Sequence, residues 1–242
     1  MFPVLYPEAF NRGIVVYRIL SSIQMDAKSG CKTLRSILTN IRYRKVLATN
    51  LRYRLNLAKS LANAVFHLHS VNWIHGSLRP ETILIFGRES SDVIEFEWSR
   101  PYIIGLAMAM SAWEVMHQTS GRLPDWDLWA ERVYKHPRSQ YDERTRKSSD
   151  IYSLGILLLE IGLLKSLMDS DYRRDAIWTS APPHELSDLL TKLSNQLIST
   201  VGPTYCDIVK NCLEGEYYAG DEASQQMFVR VQVCERLEDI QF

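Results

Sequence analysis

The stretch DIYSLGILLLEIGLL, Asp150 to Leu164, is apolar nearly all the way round a helical turn. A helix with no polar face cannot lie on a protein surface, so it must be enclosed by other elements. That requirement sets the architecture, because the rest of the chain has to supply the enclosing layer. At 242 residues and 46% hydrophobic, the chain is long enough to do so as one large domain.

The enclosing elements can be read from periodicity. From Arg52, the residues Leu55, Ala58, Leu61, Ala62, Val65 and Leu68 recur at three and four residues, which predicts a long amphipathic helix ending near Ser70, with Arg54, Lys59 and Asn63 on its polar face. The segments ELSDLLTKLSNQLIST, YCDIVKNCL and QQMFVRVQVCERLEDI read as further helices around the central one. Ahead of them, GIVVYRIL (13–20) is β-branched and suits a strand, SIQMDAKSGC reads as a loop, and Thr33 can N-cap a short helix through Leu38. ILIF and PYIIG read as a small hairpin-like pair flanking the polar turn GRESSD. The fold class is therefore α+β, mainly α.

Charge bounds the function. Twenty-eight basic side chains balance 28 acidic ones, so no global field argues for nucleic acid or a membrane. The first sixty residues are nevertheless basic and the segment from Glu214 is acidic. Cys31, Cys206, Cys212 and Cys234 form no CxxC pair and read as free thiols in a reducing compartment. With no signal peptide and no apolar run of membrane length, the expected location is the cytoplasm.

The stretch NWIHGSLRPETILIF, Asn72 to Phe86, follows the long helix; beyond it come a strand and Gly105-Leu106-Ala107, then a polar segment reaching YKHP, then the buried helix. This order resembles the large lobe of a protein kinase, with HGSLRPETILI in the place of the catalytic loop H-R-D-L-K-P-E-N. In detail it is similar to fungal kinase-like domains associated with HeLo-type and heterokaryon-incompatibility cell-death proteins. The resemblance implies a truncated or missing small lobe, with residues 1–40 as remnant strands, hinge and first helix, and residues 41–242 as the large lobe.

Position by position, the resemblance implies a loop without its chemistry. Ser77 stands where the catalytic Asp would be, and a hydroxyl does not accept a proton at neutral pH as a carboxylate does. Arg79 takes the place of the loop Lys, keeping the charge but not the geometry. Thr82 replaces a metal-binding Asn, and Gly105-Leu106-Ala107 replaces D-F-G, leaving no carboxylate for Mg²⁺. The resemblance also implies what is kept. His75 keeps its place in the loop beside the degenerate Gly76, Leu84 would support a nucleotide base in a vestigial pocket near Gly105, and Asp150 would accept hydrogen bonds from the loop backbone. Pro80, Pro137 and Gly155 keep structural places, although Arg138 follows Pro137 where a Glu is usual. Expected cofactors are none, with ATP and Mg²⁺ implied only if the chain is an unorthodox kinase.

Other constellations carry blander readings. His67, His69 and His75 do not make a metal site, since the first two lie on opposite sides of a helix and no Cys or carboxylate joins them. Asp125 and Asp127 sit with Trp126 and Trp129 in a loop, and Ser111, Thr119 and Ser120 are ordinary hydroxyls of the same region. The run IRYRKVLATNLRYR falls at the start of the long helix rather than on a nucleic acid. The function expected is a catalytically impaired kinase-like domain that binds an unidentified protein partner, the alternatives being an unorthodox kinase or a non-functional truncated fragment. If the strand 13–20 lacks a pairing neighbour, it is also a candidate for self-association, with Arg12 and Arg18 beside it.

Overall fold

The computed structural model describes residues 6–11, 14–18, 29–90, 93–105, 133–137, 147–168, 181–215, 217 and 220–240, the first two segments as backbone. Leu106 and Ala107, Ser111, Thr119 and Ser120, the Asp125–Trp129 cluster and Arg138 lie outside the described residues.

Two small antiparallel sheets precede most of the helices. Strands β1 (Tyr6–Asn11) and β2 (Ile14–Arg18) pair with each other, so the expectation that the strand at 13–20 has no neighbour is corrected: one of its edges is filled within the chain. In the second sheet, β3 (Ser29–Thr33) lies along β4 (Ile83–Glu89), whose other side carries β5 (Ile94–Phe96) at one end and β6 (Tyr102–Ile103) at the other. Two sequence expectations change here. Ser29–Cys31, read as loop, opens a strand, and Gly87–Glu89, read as turn, continues β4 because ladder bonds to β3 and β5 hold it extended.

Side-chain caps divide the helices that follow. Thr33 starts α1 (Leu34–Thr39), its hydroxyl accepting from the Ser36 amide at 3.1 Å. Asn40 caps α2 (Ile41–Thr49), accepting from Arg42 N at 2.9 Å, and Asn50 caps α3 (Leu51–Ser70), accepting from Arg52 N at 2.9 Å. The basic run at 41–54 is thus two helices, broken at Asn50, whose extended backbone ends one and begins the next. Within α3 the predicted apolar stripe is buried from Leu55 to Val65 and Leu68 is partly buried, but Arg54 is not on the polar face: it is buried, and its Nη1 donates to the Gly162 carbonyl at 3.1 Å. Burial lowers its pKa. Lys59 does face outward, 3.4 Å from Glu238.

Helix α4 (Lys147–Leu163) runs through the core, with every residue from Lys147 to Gly162 buried. Around it pack α3 and α7 (Pro203–Glu214), while α5 (Pro183–Ser194) and α6 (Leu197–Thr200) lie against α7. The chain ends in α8 (Glu222–Phe228), a π-helical segment Val229–Glu235 and α9 (Arg236–Glu238), which close over α3 and α7. Among the described residues no helix is long and apolar enough to cross a membrane. Cys31 is exposed, the other three cysteines are buried, and all four are free thiols.

The approach of α4 to α7 is close enough to forbid a side chain at Gly155. A Cβ there would sit 2.6 Å from the Cys212 Cβ, an atom fixed to its own helix backbone. Gly155→Ala should therefore lower stability by about 1–3 kcal/mol through overpacking, although alanine favours a helix by about 1 kcal/mol over glycine. Urea denaturation checks this, and an unchanged or raised midpoint would show that the two helices separate without cost.

Candidate functional site

The segment joining α3 to β4 is shaped by one carboxylate. Asp150, in the first turn of α4 and fully buried, accepts from the amide of His75 at 2.8 Å and from the amide of Gly76 at 2.8 Å. Its Oδ2 also lies 3.1 Å from the buried His69 Nε2. A charge removed from water must be met by donors, and here two backbone N–H groups and one imidazole supply them. Gly76 meets this geometry with a φ of 72°, in the left-handed region where a side chain would be strained.

The ring of His75 fixes what lies above. The Ser77 amide donates to its Nδ1 at 3.2 Å, so the ring proton belongs on Nε2, which donates to the Ile104 carbonyl at 2.9 Å. Gly105 follows with φ 96°; a Cβ there would stand 3.7 Å from Thr82 Cγ2 and 3.9 Å from the His75 ring. Thr82 ends a 3-10 turn, Pro80–Thr82, begun by the buried Pro80. Its hydroxyl donates to the Arg79 carbonyl at 2.9 Å and receives the Arg79 amide at 3.2 Å. Sequence-predicted residues His75, Gly76, Ser77, Arg79, Thr82 and Gly105 are therefore gathered in one place. Leu84 lies on β4 beside Phe86, Tyr102 and Ile104. Pro137 and Gly155 are elsewhere, the first in the segment 133–137 and the second against α7.

These side chains do not fit a hard dication. Ser77, Thr82 and Gly105 offer two hydroxyls and no carboxylate, and the Thr82 hydroxyl is committed to backbone. Asp150 is enclosed and saturated by its donors. Among the described residues no group of three His, Cys, Asp or Glu could hold a metal. What the arrangement does is hold a loop in one conformation.

Residues 17–236 match the family model described as Domain of unknown function (DUF7580). The chain belongs to the DUF7580 family. No curated protein matches it. The matched span takes in the whole Asp150-centred loop and a second buried cluster that the DUF7580 chain builds farther along the same helix.

That cluster was not read from the sequence. Glu160 on α4, fully buried, accepts from the Tyr134 hydroxyl at 3.0 Å and the Leu167 amide at 2.7 Å, both on Oε1, with Arg35 Nη1 3.6 Å from the same oxygen. Oε2 has no partner. Arg35, from α1, also donates to Glu81 at 2.8 Å, to the Tyr134 hydroxyl at 3.0 Å and to Ser166. Burial pushes the Glu160 carboxyl up to about 7, outweighing the attraction of Arg35 and the two hydrogen bonds. For Arg35, burial acts to lower the pKa, but Tyr134, Glu160 and Glu81 outweigh it and the net shift is upward. The two directions are compatible, since Arg35 also pairs with the half-exposed Glu81 whereas Glu160 is enclosed on every side. The signal available in the sequence was a single acid inside LLLEIG and a single base inside TLRSIL; each charge, flanked by apolar residues, needs a buried partner.

Two measurements follow. Asp150→Ala leaves the His75 and Gly76 amides without acceptors and should cost roughly 3–5 kcal/mol, read by denaturation and by faster hydrogen exchange at those two amides; protection unchanged from the parent would show that the carboxylate does not hold the loop. For Glu160 the sign follows from a folded-state pKa of about 7 above the ordinary 4.5. The uncharged acid is the form that folding favours, so its contribution is full below 4.5 and is lost as pH rises through 7. Between those limits the parent should lose roughly 2–3 kcal/mol relative to Glu160→Gln, at about 1.4 kcal/mol per unit; parallel stability profiles of the two proteins would refute it.

Proposed function

We propose that this chain is a kinase-like large lobe that has kept its scaffold without phosphoryl-transfer chemistry, and that it works as a protein-interaction module in fungal incompatibility or cell-death signalling. The observation that carries the reading is the Asp150 clamp. A buried carboxylate holds the His75–Gly76 backbone in place, while the positions grouped with that backbone, Ser77, Thr82 and Gly105, carry no acid. A loop that still did acid–base work would need a carboxylate within reach of a substrate hydroxyl. A loop kept for its shape needs only its backbone held.

The order of elements supports the same reading: helix α3, the clamped loop, strands β4 to β6, and then α4 through the core. A protein partner suits it better than a nucleic acid. Part of the basic N-terminal charge is met within the chain, since Glu89 lies 3.3 Å from Lys32 and 3.7 Å from Arg42.

The test is incubation of the purified chain with radiolabelled ATP, Mg²⁺ and generic protein substrates. No label should enter either the substrate or the chain itself. Incorporation that disappears in Ser77→Ala would overturn the proposal and favour an unorthodox kinase.

A further inference from the structure

Arg54 carries a charge that the fold only half receives. The residue is 9% exposed, and its Nη1 donates to the Gly162 carbonyl at 3.1 Å, near the C-terminal end of α4. That helix end offers a partial negative charge and one acceptor. The other edge of the guanidinium is unmet: Nε is enclosed without a partner, and Nη2, which is not enclosed, makes no bond among the described residues. The edge therefore runs from the interior to the surface. Its two N–H groups form the fork that receives two oxygens of one anion.

The surroundings supply no acid to fill it. Between Asp26 and Glu81 the sequence has neither Asp nor Glu, so α1, α2 and α3 offer no carboxylate. On the facing side, a Cβ added to Gly162 would stand 3.0 Å from Tyr205 Cε1 and 3.4 Å from Val201 Cγ2, which sets the corner between α6 and α7 against the residue that holds Arg54. Residues 195–206, which make that corner, contain no acid either, and the Tyr205 hydroxyl donates to the Leu158 carbonyl. Glu160, two residues before Gly162, is committed to Tyr134 and Leu167. Space remains at the corner: a Cβ on Gly202, which opens α7 without a side-chain cap, would meet nothing within 4 Å. Burial lowers the Arg54 pKa with no carboxylate to offset it.

We propose that the Nε–Nη2 edge of Arg54, beside the corner between α6 and α7, is a binding site for a carboxylate. One guanidinium balances one negative charge, so a carboxylate leaves the site neutral. A phosphate dianion would leave excess charge against Val201 and Tyr205, and Arg52, two residues earlier on α3, faces another way. The carboxylate comes either from a free small acid or from a protein partner, as a side chain or a chain terminus. The site itself uses only the contacts of Arg54 and stands apart from the kinase-like reading; a protein source alone rests on the interaction module proposed above.

Thermal unfolding of the full chain tests it, with sodium chloride of equal ionic strength as the blank. About 50 mM acetate should raise the parent midpoint by at least about 2 °C over chloride. Arg54→Met, which fills the same space without the charge, should gain less than half as much, and Arg54→Lys, which keeps the charge without the fork, should fall between them. General salt effects act on all three proteins alike, so the difference between them is the readout. N-acetylalanine presents a terminal carboxylate and the α-methylamide of N-acetylglutamate a side-chain one; a response to either at lower concentration than acetate assigns the site to that form of protein carboxylate, and a response to acetate alone assigns it to a free acid. If the variants do not fold, the Arg54 Nε–H resonance of the parent should move downfield and saturate on titration with acetate. No excess of the parent over Arg54→Met, an unmoved Nε–H resonance, or an excess with phosphate as large as that with acetate would overturn the proposal.

Discussion

The loop that joins α3 to β4 depends on a carboxylate that has been taken out of water and given three donors. Asp150 receives the amides of His75 and Gly76 and the imidazole of His69. Because a buried charge without donors is so costly, the loop has little freedom to move away: any displacement of His75 or Gly76 strips hydrogen bonds from an ion that has no water to replace them. The consequence extends outward. With the backbone fixed, the His75 ring is oriented by Ser77 and reaches the Ile104 carbonyl, which ties the loop to the segment after β6.

Helix α4 carries this arrangement because it is rigid and central. Ten residues beyond Asp150, or about 15 Å along the axis, the same helix presents Glu160 to a second group of donors. The two acids do different physical work. Asp150 is saturated and organises backbone, whereas Glu160 has one oxygen without a partner and shares a guanidinium with Glu81. The first fixes a conformation; the second, its pKa raised by burial, is sensitive to protons. Both are set in an apolar helix, which raises the strength of each interaction and the penalty for breaking it.

Much of this was legible beforehand, for reasons that are local. The apolar stripe of α3, the unbroken apolarity of α4 and the Thr33 cap follow from side-chain type and spacing, and each appears where the pattern puts it. Asp150 was found because the motif around it marks an acid at the head of a buried helix. Misreadings arose where a distant partner outweighed a local pattern. Arg54 falls on the polar side by periodicity, yet the Gly162 carbonyl draws it inward. Gly87 to Glu89 look like turn, yet β3 and β5 hold them as strand. The break at Asn50 is by contrast local, since its side chain accepts from Arg52 N two residues on.

By itself the sequence determined that this would be an α+β, mainly helical domain wrapped around one buried helix, and that Ser77, Thr82 and Gly105 carry no acid. Those facts depend on composition and on spacing of a few residues, which the chain cannot change by folding. Tertiary structure alone decided which charges meet. Arg35 and Glu81 are 46 positions apart, and Arg35 and Ser166 are separated by 131; nothing in the linear order links them. Their meeting is set by how α1, the Pro80–Thr82 turn and the end of α4 pack together, and long-range packing is the property that no short stretch of sequence contains.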